Sequence, residues 1–425
     1  MNSNSGTVSA AVCLLAFLAT APAAGQDEPG ETYLSAITSG DAGIVIRPRY
    51  EFVDQDIVSE KANALTALVR LNYRTAKWND WSAFGEFDHI FHLVDDFNSG
   101  AGTSPNRGEY PVVADPEGSD LNQLYVDYAG WDDWLMRLGR QRIVLDNQRY
   151  VGGVAWRQNE QTFDSLTFNT EAIARTTLQY SYVSNVRRIF GQTVAAGSDK
   201  TNHHLINAEV DLGSGWSVVP YVYLLDYNFG DITVPAPDPN DLRRAASSTS
   251  TFGARVAGQL KAGNDNTFSI VAEFATQSDY ADNPVSYDAN YLRADATWAM
   301  KNGLSLGISY ESLGSDGGTQ SFRTPLSTLH LFQGWADRFL TTPAAGIDDV
   351  FVTAKFKLGN WNLTGVYHDF SAETGSEDYG TEFDMSAGTS LGNNYALLLK
   401  AAFFSGDSPT YPDTTKFWVM LTANY

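Results

Sequence analysis

Cationic side chains at alternate positions are the feature of this chain with the clearest chemistry. Arg47 and Arg49 form one such pair, and Lys355 and Lys357 form another. Residues two apart on a β-strand point to the same face, so each pair would present two charges on one surface. The N–H donors of a guanidinium lie in a plane and match the geometry of a carboxylate. A wall of such groups would favour anions, and above all solutes with spaced carboxylates.

More charged residues share this parity along the chain. The cations on it are Arg47, Arg49, Arg70, Arg74, Arg137, Arg175, Arg187, Arg255, Arg293, Lys355, Lys357 and Lys400. The carboxylates on it are Glu51, Glu86, Asp88, Asp127, Glu209, Asp211, Glu273, Asp295, Glu311 and Asp384. Since the whole chain carries a net charge of −22, this face is comparatively basic and the excess acid falls in loops. The alternative is that these arginines only form ion pairs that hold a wall together.

The sequence offers little for catalysis or metal binding. Nucleophilic hydrolysis needs a Ser–His pair with an orienting residue, and no histidine stands in a nucleophile signature. His203 and His204 are adjacent, so on a strand they point to opposite faces and cannot readily hold one ion. Cys13 is the only cysteine, which excludes disulfides. We predict no enzyme, no metal and no cofactor, and the acidic charge argues against nucleic acid.

Eighteen short segments with a period of two must position the cations. In 347–358, for example, Val350 and Val352 alternate with Phe351 and Thr353. Such alternation predicts strands with one apolar and one polar face. The predicted strands are 44–54, 63–74, 81–94, 120–129, 134–142, 163–171, 174–188, 203–212, 216–226, 250–260, 266–277, 289–300, 304–313, 347–358, 361–370, 381–391, 395–405 and 415–425.

Short and long connections alternate between these strands, which is the arrangement of an outer-membrane barrel. The short ones are turn sequences such as Gly359-Asn360, and several are flanked by tryptophans that favour the membrane–water boundary. So many strands must also avoid open edges, and closure removes edges. The sequence predicts an all-β, transmembrane, antiparallel up-and-down barrel of about 18 strands, with 16 as the alternative. Its long loops would be extracellular, its short turns periplasmic, and its location the bacterial outer membrane.

The two ends of the chain carry targeting features. An apolar run at 8–18 precedes Ala21-Pro22-Ala23, which fits an A-x-A cleavage site. We predict a signal peptide at 1–24, a periplasmic lead-in at 25–43 and the barrel at 44–425. In the last strand, apolar residues at every second position lead to Tyr425, as in the signal read by the barrel assembly machinery. Predicted partners are this machinery, outer-membrane lipid and lipopolysaccharide.

The stretch from Gly139 to Asp164 departs from simple alternation. Continued alternation would turn Arg140 and Arg142 towards lipid, which is costly, whereas a bulge at Gly139 would turn both inward. Alternatively, the strand has already left the membrane there. Loop 143–162, rich in Trp, Tyr, Arg, Asn and Gln, is expected to fold back into the barrel as a constriction. An external cap is the alternative.

This stretch resembles the alginate export family of outer-membrane porins. The resemblance rests on G-R-Q-R-x-x-x-D-N-Q-R from Gly139, on W-R-Q-N-E-Q-T-F-D from Trp156, and on 110–118 and 332–339. It implies an 18-stranded, monomeric barrel whose arginine-rich pore passes an acidic polysaccharide outward. By the same resemblance Arg140 and Arg142 would line the pore, and Arg149 and Arg157 would lie on the inward loop.

We therefore expect an outer-membrane channel for anionic saccharides or similar acidic solutes, with an acidic polysaccharide or oligosaccharide as partner. The main alternative is a general diffusion porin or an uptake channel for oligosaccharides or organic acids. A distant alternative is an outer-membrane enzyme, such as a lipid hydrolase.

Overall fold

The fold of this chain is described by a computed structural model that covers residues 32–234, 236–263, 265–408 and 410–425. The predicted signal peptide at 1–24 lies outside the described residues. The strands are β1 Asp41–Gln55, β2 Ala62–Arg74, β3 Trp81–Asp96, β4 Gly118–Trp131, β5 Trp134–Gln141, β6 Thr162–Ile173, β7 Thr176–Arg187, β8 Ser198–Gly213, β9 Trp216–Leu225, β10 Thr249–Ala262, β11 Asn266–Asp279, β12 Asp288–Ala299, β13 Leu304–Leu313, β14 Ser315–Asp316, β15 Gln320–Ser321, β16 Ile347–Leu358, β17 Trp361–Ser371, β18 Asp378–Leu391, β19 Tyr395–Gly406 and β20 Thr414–Asn424. The helices are α1 Tyr33–Thr38 and α2 Pro239–Ala245.

Eighteen of these strands form one closed antiparallel sheet. Each pairs with its neighbour along the chain, and β1 pairs with both β2 and β20, which joins the two ends of the sheet. The strands β14 and β15 form a separate small hairpin between β13 and β16. The prediction of an all-β up-and-down barrel is confirmed, and its strand count is eighteen rather than sixteen.

The two faces of the wall follow the predicted alternation. On β12, Leu292 and Trp298 are exposed on the outside, whereas Tyr291 is buried on the inside. On β16, Val350 and Val352 are likewise exposed. An apolar outer face and a polar inner face are what a barrel in lipid requires, because the lipid side cannot solvate charges.

Tight turns connect the strands at one end of the barrel. Gly303 and Gly359 adopt left-handed φ values of +86° and +59° in two of these turns, a conformation that glycine adopts without steric cost. Trp81, Trp131 and Trp134 are exposed beside such turns, as expected for an aromatic girdle at the membrane boundary. Neither helix in the described part of the chain is long and apolar enough to cross a membrane.

Two of the long loops fold into the interior of the barrel. We call residues 142–161 the first inner loop and residues 314–346 the second inner loop. Gly152 N–H donates to Leu326 O at 2.9 Å, and Val154 N–H donates to Thr328 Oγ1 at 3.0 Å, so the two loops are joined. Tyr150 of the first loop packs edge-on against Phe322 of the second, in one apolar cluster with wall tyrosines.

Candidate functional site

Two arginines of β1 hold the first inner loop against the wall. Arg47 donates to Gln158 Oε1 at 3.0 Å, to Ala155 O at 2.9 Å and to Arg157 O at 2.5 Å. Arg49 donates to Trp156 O. The loop therefore presents its carbonyl oxygens to the cations of the wall, and the peptide chain of this loop lies inside the barrel.

Glu160 of the first inner loop forms ion pairs with two arginines. Arg70 of β2 donates to Glu160 Oε1 at 2.7 Å, and Arg142 Nε donates to Glu160 Oε2 at 2.7 Å. Burial alone would raise the pKa of this carboxyl, but Arg142 and Arg70 lower it to about 2. Glu160 is therefore ionised at neutral pH, and Arg142 faces the interior.

Asp115, in the loop before β4, contacts the same part of the wall. Arg49 donates to Asp115 Oδ2, and Gln158 N–H donates to Asp115 Oδ1 at 2.9 Å. Burial opposes ionisation, yet the charges of Arg49 and Arg157 hold the pKa of Asp115 below its ordinary value. This side chain is fully buried, so its charge is balanced by Arg49 and the Gln158 amide instead of water.

Asp337 of the second inner loop is the meeting point of three donors. Arg157 Nη2 lies 3.1 Å from it, Lys416 Nζ of β20 lies 2.8 Å away, and His330 Nδ1 lies 2.7 Å away. These groups hold the pKa of Asp337 well below its ordinary value, although burial opposes them. Burial lowers the pKa of His330 to about 3, so this ring is neutral at pH 7 and its Nδ1–H donates to Asp337.

Most of the remaining predicted cations also face carboxylates of the wall or the loops. Arg137 donates to Asp127 at 2.7 Å, and Arg293 donates to Asp295 at 2.8 Å. Arg74 lies 3.5 Å from Asp127, Arg255 lies 3.9 Å from Glu273, and Arg149 lies 3.3 Å from Glu311. Lys355 and Lys357 lie on the inner parity of β16, with Lys357 exposed near the turn.

Comparisons with known proteins agree with this barrel. The sequence model of the family described as alginate export matches residues 39–408. This chain belongs to the alginate export family. It is therefore an integral β-barrel of the bacterial outer membrane, built as a channel and in contact with membrane lipid.

Solved porins share the fold of this alginate export family member at low sequence identity. OccAB2 of Acinetobacter baumannii superimposes with a TM-score of 0.70 at 12% identity, covering 92% of this chain and 98% of that one. OpdK of Pseudomonas aeruginosa gives a TM-score of 0.68 at 13% identity, covering 92% and 99%. Identities this low show the fold alone. Among curated proteins, no match was found.

Arg140 lies on the outer face of the barrel wall, so the prediction that it lines the pore is wrong. The pairing of β5 with β6 runs without a shift through Gly139, so no bulge turns Arg140 inward. Arg140 stands opposite Leu124 and two residues from Leu138, and both leucines are 53% exposed on the outer face. Near the end of β5, Arg140 donates to Asp164 at 2.7 Å, which neutralises its charge at the rim.

Arg187 and Arg175 also lie elsewhere than on the predicted inner face of the wall. The ladder between β6 and β7 shifts at Asp164/Ser165, where Val183 and Asn185 oppose consecutive residues. This bulge changes the parity by one, so Val186 is buried inside and Arg187 lies on the other face, 3.8 Å from Asp164. Arg175 lies in the β6–β7 turn, where it is largely exposed beside Asp211.

The sequence reading missed the three loop carboxylates Asp115, Glu160 and Asp337, and also Lys416. Loops have no periodicity from which a direction can be read. A signal was nevertheless present, because each carboxylate lies in one of the three blocks that carry the family resemblance. An acidic residue inside one of these specific blocks could have been expected to form an ion pair with one of the arginines.

A Ser–His pair does occur on the outer face. His89 Nδ1 lies 2.7 Å from Ser119 Oγ, but no carboxylate or amide within the described residues binds the other ring nitrogen. The described residues also contain no group of three or more His, Cys, Asp or Glu side chains that could hold a metal ion. The histidines thus provide no observation that favours an enzyme.

Proposed function

We propose that this channel passes anionic saccharides or similar acidic solutes through its arginine-lined lumen. The observation that carries the proposal is the group formed by Arg47, Arg49 and Arg70, which project inward from the adjacent strands β1 and β2. Arg49 and Arg70 already contact Asp115, Asp88 and Glu160, whereas Arg47 contacts only neutral oxygens, so the group keeps one cation without a carboxylate partner. Such a group is suited to bind the carboxylates of a passing solute.

Arg47 is the member of this group best placed to bind solute. It donates only to the neutral oxygens of Gln158, Ala155 and Arg157, and it forms no ion pair within the described part of the chain. Its charge is therefore not cancelled by a carboxylate in direct contact. A solute carboxylate that replaced the carbonyl oxygens would gain a charge-assisted, bidentate interaction.

A channel without strong charge preference is the second candidate. The observation in its favour is the balance of charge around most of the predicted pore residues, since Arg70, Arg137 and Arg293 all lie beside carboxylates. Paired charges contribute little net potential to a lumen. This alternative covers a general diffusion porin and an uptake channel for oligosaccharides or organic acids. Membership of the alginate export family favours the opposite direction, outward export of an alginate-type polysaccharide.

Single-channel recording of the refolded barrel tests the proposal. An oligouronate added to either side should reduce the current in wild type, and Arg47→Gln should raise the oligouronate concentration needed for the same reduction of the current. The matched control is Arg107→Gln, because Arg107 is partly exposed and contacts Asp95 and Asp96 at the end of β3, away from the contacts of the inner loops. A current that is indifferent to oligouronate in all three proteins would favour the second candidate.

We further propose that β20 carries the contact with the barrel assembly machinery and that the protein functions as a monomer. Phe417 and Val419 are exposed on the outer face of β20, and Tyr425 exchanges two backbone hydrogen bonds of 2.9 Å with Ile44. Deleting Tyr425 should lower the amount of folded barrel in cells while leaving refolding in detergent intact. Equal cellular amounts would contradict the assignment, and cross-linked oligomers in native membranes would contradict the monomer.

A further inference from the structure

We propose that Asp115, Glu160 and Asp337 are built-in substitutes for the carboxylates of the solute. In the channel without solute they occupy the cationic sites of the wall, and an acidic solute enters the lumen by taking their places. This inference rests on the proposed function, because it assigns the solute's binding sites and the way in which the solute reaches them.

The three carboxylates share a common arrangement. Each comes from a different long loop, each side chain is at most 5% exposed, and each contacts a cation that belongs to the barrel wall. Asp115 contacts Arg49, Glu160 contacts Arg70, and Asp337 contacts Lys416. Loops can move without opening the sheet, whereas a carboxylate on a strand cannot leave its partner.

The three wall cations lie on one strip formed by β20, β1 and β2. Lys416 stands opposite Val53 of β1, Arg49 lies on β1 itself, and Arg70 stands opposite Val45. These positions are four residues apart each time, or about 13 Å along β1. The loop carboxylates therefore imitate a row of spaced anionic groups, which is the chemistry of an acidic oligosaccharide.

Exchange of one carboxylate for another leaves no buried cation without a partner. Removing an anion from a buried pair is costly because the remaining charge is uncompensated. A solute carboxylate that enters as Asp337 leaves avoids this cost, since Lys416 and Arg157 keep an anionic neighbour. A solute with several carboxylates gains further, because binding of the first raises the local concentration of the next.

Arg157 transmits this exchange from one loop to the other. It donates to Asp337 of the second inner loop at 3.1 Å and to Glu51 of β1 at 3.1 Å. Release of Asp337 therefore removes one of the contacts that hold the first inner loop to the second. The same solute would thus loosen both inner loops.

Neutralising the loop carboxylates singly and together tests the inference. The variants are Asp115→Asn, Glu160→Gln and Asp337→Asn, recorded as single channels in planar bilayers under a salt gradient. Removal of a unit negative charge some 8 Å from a passing ion, screened over a Debye length of about 8 Å, should raise the anion-to-cation permeability ratio about twofold. Conductance should also rise, because the loops lose their anchors, and oligouronate should bind at lower concentration, because it no longer competes with them.

Asp127→Asn is the matched control, since Asp127 of β4 is a lumen carboxylate whose partner Arg137 lies on the neighbouring strand. This variant removes the same charge, but Asp127 anchors no loop. The variant should therefore alter selectivity without raising conductance. Loop variants that match this control in conductance and in oligouronate concentration would overturn the inference. If instead neither wild type nor any variant responds to oligouronate, the proposed function itself fails.

Chemical labelling gives a second readout that does not depend on the neutralised variants. Ser327 is buried in the second inner loop, and residues 25–425 contain no cysteine. In a refolded Ser327→Cys barrel, oligouronate should speed modification by a water-soluble thiol reagent, and a neutral oligosaccharide of equal length should not. Equal rates with the two saccharides would contradict displacement of the loop.

Discussion

Arg157 Nη2 lies 3.1 Å from Asp337 Oδ2, although the two residues are 180 positions apart in the chain. Each belongs to a loop that folds into the barrel, and each also contacts the wall, Arg157 at Glu51 and Asp337 at Lys416. This pair therefore links two loops and two strands at one point. Its charges are buried, so its loss is expected to affect both stability and conduction.

Replacing Arg157 with Gln should strongly destabilise the barrel. Glu51 would remain buried without its main partner, and breaking one side of a buried ion pair costs about 3 kcal/mol or more. Equilibrium unfolding of the refolded protein in urea measures this change. The control Arg107→Gln, at an exposed pair, should change the free energy of unfolding by less than about 1 kcal/mol. Similar losses in both variants would contradict the linking role.

The contribution of Glu160 to stability should depend on pH in a defined direction. Its pKa is lowered from 4.5 to about 2 in the folded protein, so the unfolded state binds its proton first as pH falls. The stabilisation, roughly 3 kcal/mol by this difference, is complete above pH 4.5 and is lost as pH falls towards 2. The difference in the free energy of unfolding between wild type and Glu160→Gln should therefore be the same at pH 7 and pH 5. A difference that disappears between those two values would contradict the account.

Arg140 and Arg142 should behave differently although only one residue separates them. Arg140 lies on the outer face beside Asp164, whereas Arg142 contacts Glu160 and Glu86 inside. Charge reversal of Arg142 to Glu should lower the anion-to-cation permeability ratio, and the same reversal of Arg140 should leave it unchanged. Reversal potentials under a salt gradient measure both. Equal effects would show that Arg140 also reaches the lumen.

A methyl group at Gly152 should loosen the contact between the inner loops. A Cβ there would lie 2.2 Å from Thr328 Oγ1, too close for Gly152→Ala to keep the present packing. We expect larger and more frequent conductance fluctuations in single-channel records. Gly108→Ala is the control, because a Cβ at Gly108 meets nothing within 4 Å. Records that do not differ between the two variants would count against a direct contact between the loops.

The sequence predicted the strands and their faces because a barrel wall has a strict period of two. This rule placed Arg47, Arg70 and Arg293 inside, and it failed where the period is broken or where the strand end changes the environment. The bulge at Val183/Asn185 reversed Arg187. Arg140 keeps the outer parity because Asp164 offers a partner at the rim, which a single strand read alone cannot reveal.

The inner loops could be predicted only in part. Their Trp, Tyr and Arg content indicated a packed segment, but not which partners it would find. The contacts that decide the site join distant residues, such as Arg47 with Gln158, 111 positions apart, and Arg157 with Asp337. No local pattern encodes these pairings, because they follow from closure of the whole barrel around the loops.

The reversal potential of the refolded wild-type barrel under a salt gradient tests the central claim most directly. If the lumen formed around Arg47, Arg49 and Arg70 favours acidic solutes, the current should reverse on the anion-selective side and shift towards zero in Arg47→Gln. A cation-selective reversal potential that Arg47→Gln leaves unchanged would contradict the account.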